Sequence, residues 1–146
     1  MTYFLDRAID LALDNIKEGG DPFGAVLVND GEIISEGVNE LHLYNDITGH
    51  AEILAIRKAQ KRLKRLDLKE CILYASGEPC PMCLSAIYFS NIKKVYFAET
   101  INDANSVGLS RSKEIYNEFT LEKNEREIEM IHINDTKMSP MKKWNE

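Results

Sequence analysis

The stretch CILYASGEPCPMCLSAIYFS, residues 71–90, decides how the chain is read. CILYAS reads as a strand, Gly77-Glu78-Pro79 interrupts it, and CPMCLSAIYFS reads as the helix that follows. Such a strand-to-helix junction is where α/β folds build their sites. Two cysteines three apart, Cys80 and Cys83, stand at this one, with Pro79 and Pro81 stiffening the chain around them.

Working outward, residues 3–17 place Phe4, Ala8, Ile9, Ala12, Leu13 and Ile16 at helical spacing, and Gly19-Gly20 ends the run. Residues 23–40, FGAVLVNDGEIISEGVNE, form two β-rich runs about Asp30-Gly31, a strong hairpin signal. A polar loop, LHLYNDITG, leads into HAEILAIRKAQKRLKRL, whose apolar residues at 51, 54, 55, 59, 63 and 66 predict a second helix. After the quoted stretch, KKVYFAE reads as a strand, a polar loop runs to about residue 110, residues 111–119 form a helix, and EMIHI supplies a fifth strand. The order predicts an α/β fold, a three-layer α/β/α sandwich with a mixed five-stranded sheet, with residues 1–146 forming one domain.

Composition narrows the function. No apolar run approaches the roughly 20 residues of a membrane helix, and Asp6, Arg7 and Asp10 interrupt the N-terminal apolar pattern that a secretory leader would need. A cytoplasmic protein is expected. Three cysteines, an odd number, argue for ligands, nucleophiles or core filler rather than a disulfide framework. A net charge of -6 disfavours sequence-blind nucleic-acid binding. Residues 57–69 dissent, with seven basic residues against Asp67. They read first as a solvated helix face and second as an RNA-facing patch.

A lone C-x-x-C at a helix start fits a thiol redox couple, a structural zinc clip or half of a catalytic metal site. A closed structural site wants four protein ligands and would have to recruit the others from scattered residues, Cys71, His42, His50 and His132. A catalytic zinc needs three ligands and leaves the fourth position to water. His50-Ala51-Glu52 supplies the missing imidazole, also at a helix start. Residues i and i+2 diverge by roughly 200° around a helix, so His50 and Glu52 can converge only over its mouth. Glu52 would then stand beside the metal, free to carry protons.

His50-Ala51-Glu52 with Pro79-Cys80-Pro81-Met82-Cys83 resembles the H-x-E…P-C-x-x-C signature of zinc nucleobase deaminases. DPFGAVLV, the asparagine of EGVNE, GHAEILAIRKA, LYASGEPCPMCLSAIYF and KKVYFAE are similar to proteins with the cytidine deaminase fold. Phe23 in PFGAV, AIR after HAE, and the late Ser139, Pro140 and Trp144 look most like bacterial guanine deaminases. The resemblance implies one zinc per chain on His50, Cys80 and Cys83, with Glu52 moving protons during hydrolytic loss of ammonia from a ring. It also implies that Asn39 and the Ala51 N–H bind the heterocycle, that Phe23 and Phe89 sandwich it, and that the chain forms a homodimer.

Guanine is the expected substrate. Adenosine in tRNA, cytosine and an ammeline-like ring are the alternatives within the family, and a redox protein using Cys80 and Cys83 is the alternative outside it. Gly77, Phe89 and Arg111 depart from the guanine deaminase pattern. Arg111 stands where an acidic residue usually reads the purine edge, and Glu114 lies one turn on.

Overall fold

The computed structural model describes residues 2–134 and 137–146. Helix α1 (Tyr3–Lys17) leads to the hairpin β1 (Gly24–Asn29) and β2 (Glu32–Val38). Asp30 and Gly31 both take positive φ, 50° and 75°, as a two-residue hairpin turn demands. The one-turn helix α2 (Leu41–Tyr44) precedes α3 (Ala51–Leu63), and β3 (Cys71–Gly77) runs into α4 (Pro81–Phe89). Then come β4 (Lys94–Glu99), α5 (Ile101–Ser106), α6 (Arg111–Phe119), a 3-10 turn at Lys123–Glu125, and α7 (Pro140–Trp144).

The sheet order is β2-β1-β3-β4, with β1 antiparallel to both β2 and β3, and β3 parallel to β4. Alternation along the strands sorts the core onto two faces. Ala25, Leu27 and Leu73 pack with Ala51, Ala55, Ile56 and Ala59 of α3 and Ile87 of α4. Val26, Val28 and Tyr74 face the other way, onto Ala8 of α1 and its neighbours Phe4, Leu5 and Leu11. Helices therefore cover both faces, and the sandwich is three layers deep. Cys71 is buried strand core, as its sequence setting implies.

Glycine sets how closely α3 approaches. A Cβ on Gly37 would collide with the Ala51 carbonyl and come within 2.9 Å of the Ala55 backbone nitrogen. This contact seats the first turn of α3, and with it His50, against β2.

The expected fifth strand does not form among the described residues. The sheet there has four strands, and EMIHI lies outside it with Met130, Ile131 and Ile133 exposed. Its composition suits a strand, but it pairs with no strand of its own sheet. The polar loops also differ from expectation, since they contain α2 and α5. Thr100 and Asp103 form a reciprocal capping box that starts α5, each side chain accepting from the other's backbone N–H.

Candidate active site

Two helix starts converge. His50 is the N-cap of α3 and Cys80 the N-cap of α4, so both side chains project from the mouths of their helices. His50 Nδ1 lies 3.4 Å from Cys80 Sγ and 3.5 Å from Cys83 Sγ. All three donor atoms fall within 4.8 Å of one another. Tetrahedral zinc, with Zn–S near 2.3 Å and Zn–N near 2.0–2.1 Å, places neighbouring S and N donors about 3.6 Å apart. The observed spacing fits that metal without rearrangement. Among the described residues this is the cluster of His, Cys, Asp and Glu that meets a metal-site geometry, and Glu52 is not one of its donors.

The electrostatics agree with a cation site. The Cys83 thiol donates toward Cys80 sulfur, and with help from the His50 ring and the Cys83 backbone N–H it holds the Cys80 thiol well below the usual thiol range. Cys83 is pushed up, because it keeps the proton shared by the pair and is buried. A divalent cation would displace that proton and bind two thiolates. His50 is raised chiefly by its contact with Cys80. Burial pushes the Glu52 carboxyl up to about 7, against a partial offset from its own backbone N–H.

His50 and Cys80 of the cluster line a cavity of about 400 Å³. Phe23, Leu41, Ile47, Met82, Ile101 and Leu109 supply apolar wall, while Asn39, Glu52, Glu78, Ser110, Arg111 and Ser112 bring polar groups to it. Asn39 is buried, and its Oδ1 accepts the Leu41 N–H at 3.1 Å. That bond assigns the amide orientation and leaves Nδ2 as the group offered to the cavity. Ala51 is the first residue of α3, where an intrahelical partner for its N–H does not exist. The Phe23 ring packs over Gly77, where a Cβ would sit 3.1 Å from Cε1.

Phe89 is a correction. It ends α4, about 12 Å along the axis from Pro81 at the usual rise per residue. It is 91% exposed beside a shallow groove with Ile53, Ile56, Leu66 and Ala86, away from the cavity walls. The expected sandwich of Phe23 and Phe89 is not formed within the chain. Glu78 serves the structure, since its Oε1 accepts the Ile101 N–H at 2.9 Å and so ties the metal loop to the start of α5. The apolar walls from Leu41, Ile47, Ile101 and Leu109 escaped the sequence reading, because they lie in segments read as polar loops. So did Tyr116, whose hydroxyl donates to the Pro79 carbonyl at 2.6 Å. Arg111 does line the cavity, yet its guanidinium is drawn off to Glu114 at 3.0 Å and Glu127 at 3.6 Å.

One imidazole, two sulfurs and a buried carboxyl outside the donor set, with His50, Cys80 and Glu52 lining a largely apolar cavity, define a zinc-dependent hydrolytic site. The chain belongs to the family described by the cytidine and deoxycytidylate deaminase zinc-binding region, whose model matches residues 1–99. It is 47% identical over 143 residues to guanine deaminase of Bacillus subtilis, covering 97% of this chain and 91% of that one. The crystal structure of a guanine deaminase from the same organism superposes with a TM-score of 0.91 at 46% identity, with the same coverage. A tRNA-specific adenosine deaminase of Aquifex aeolicus is 44% identical over 96 residues, 66% of this chain and 64% of that protein.

Proposed function

We propose that this chain, residues 1–146 acting as one catalytic unit, hydrolyses guanine to xanthine and ammonia. The observation that carries the chemistry is the His50, Cys80 and Cys83 donor set with Glu52 buried beside it and outside it. The likeness to guanine deaminase of Bacillus subtilis over nearly the whole chain favours guanine.

Zinc, when bound, supplies a water acidic enough to attack near neutral pH. Glu52 would be the proton carrier, accepting a proton from the attacking water, passing it to a ring nitrogen and carrying a second to the departing amine. Its place, buried beside the donor set yet outside it, suits a group that must both accept and release protons there. The Asn39 amide and the Ala51 N–H donate to acceptor atoms of the ring, and Phe23 covers one ring face. The overall change balances: the amino group leaves as ammonia, and the oxygen of water becomes the new carbonyl.

The finer assembly is a homodimer. Its support is apolar surface of a kind that interfaces use. Ile128, Met130, Ile131, Ile133, Met141 and Trp144 are exposed along the C-terminal segment, and Tyr88 and Phe89 are exposed on α4.

Ammonia release from guanine, adenine, cytosine, ammeline and a tRNA anticodon stem-loop tests the substrate. Turnover of guanine above the others is expected, and turnover confined to RNA would replace this reading. The RNA reading has the Aquifex relative behind it. Against it, two members of the basic run are drawn to protein carbonyls: Lys58 donates to Glu36 and Arg62 to Ile33 and Ile34 of β2. About one zinc per chain in the purified protein would exclude the redox alternative.

A further inference from the structure

Helix α1 buries three residues, Ala8, Ala12 and Asn15. An amide on that face needs partners, since a buried polar group left unpaired is costly. Asn15 is 4% exposed, and its Nδ2 donates twice, to the Asp21 carbonyl at 2.8 Å and the Asn39 carbonyl at 2.9 Å. Both amide hydrogens are consumed. The two acceptors belong to different segments: Asp21 leads into Phe23, and Asn39 follows β2. A third bond closes the arrangement, from the Asn39 N–H to the Phe23 carbonyl at 3.3 Å.

This clamp is more than a helix ending. The chain's exit from α1 is already satisfied by main-chain bonds, the Gly20 N–H reaching the Asn15 carbonyl at 2.9 Å. The side chain therefore acts on the two segments beyond the helix. Packing around it is tight as well. A Cβ on Gly20 would lie 2.5 Å from both Asn15 Nδ2 and His42 Cε1, so glycine there lets the turn close over the amide.

We propose that Asn15 is a positioning residue for base recognition, fixing the Phe23 ring and the Asn39 amide at a set spacing in the cavity wall. The inference rests on the reading that those two groups hold the substrate ring. Asn15 touches neither α3 nor α4 in these bonds, so the zinc donors and Glu52 are expected to keep their places when it is lost. The signature is thus a change in binding with the chemical step preserved.

Asn15→Ala and the near-isosteric Asn15→Asp both delete the donors, and Gly20→Ala crowds the clamp from the opposite side. Asp14→Ala, on the exposed side of the same helix, is the control. Each clamp variant is expected to raise KM for guanine roughly tenfold, with kcat within about threefold of the parent and zinc content unchanged. The control is expected to match the parent.

Hydrogen exchange provides a readout that needs no turnover. Peptides covering residues 18–24 and 38–42 should exchange faster in Asn15→Ala, with α3 and α4 unaltered. An unchanged KM, a loss of kcat and zinc in step with KM, or unaltered exchange in both segments would overturn the proposal. If the parent chain deaminates no base, the function reading falls, and the exchange result alone still decides whether Asn15 holds the two segments.

Discussion

Position 52 sets burial against charge. Its carboxyl is 6% exposed beside two sulfurs, and burial outweighs every other influence on its proton affinity. Glutamine keeps the shape and cannot shuttle a proton. Glu52→Gln is therefore expected to lower kcat by at least about 100-fold, while metal analysis still finds zinc, because Glu52 is not a donor. Retained turnover would remove Glu52 from the mechanism. Cys80→Ala should act on the other quantity. It deletes one of three donors and the sulfur that accepts the Cys83 N–H at 3.4 Å, so zinc should be lost to a chelator that leaves the parent loaded.

Between elements, single side chains do the joining. Tyr116 of α6 holds the Pro79 carbonyl one residue before Cys80, so Tyr116→Phe should loosen the metal loop by about 0.5–1.5 kcal/mol. Faster zinc release to a chelator, with the melting temperature lowered by only a few degrees, is the expected result. Arg7 of α1 forks onto Glu36 of β2 at 2.7 and 3.0 Å and holds that carboxyl below its usual range. Because the folded value lies below the unfolded one, this pair stabilises the fold above about pH 4.3 and its contribution disappears as pH falls through the folded value. Glu36→Gln should cost no more than about 1 kcal/mol at pH 7, since both groups are partly exposed. Denaturant melts of parent and variant should converge in acid. The elements that sequence revealed are those with enough residues to show a period or a diagnostic turn: α1, the Asp30-Gly31 hairpin, α3, and the β3 to α4 junction. One-turn α2 and six-residue α5 are too short for periodicity to speak. EMIHI shows why composition cannot supply the rest, since an apolar alternation states a preference for pairing without naming the partner. The donor set was legible because thiols and an imidazole at helix starts have few other uses. The cavity walls were not, because Ile47 and Leu109 acquire their role only when distant loops meet.

The whole molecule combines a net charge of -6 with a strongly apolar C-terminal surface. These pull in opposite directions in solution: like charge keeps copies apart, and exposed Ile, Met and Trp side chains draw them together. Short-range burial outweighs charge at moderate ionic strength, because repulsion between exposed charges is screened beyond roughly 8 Å at 0.15 M salt. Association of two chains is therefore expected, at about 33 kDa by light scattering, twice the 16.7 kDa of one chain. The segment carrying Ile131 and Ile133 is the place to test it, since both are about 70% exposed. Replacing the two together by aspartate adds charge to the apolar surface and removes none of the zinc donors. The doubly substituted chain should run as a monomer at concentrations where the parent is dimeric, with about one zinc still bound. A parent that stays at 16.7 kDa across micromolar concentrations would sink the dimer, and a variant that remains dimeric would move the interface elsewhere, toward Phe89 and the groove beside α4.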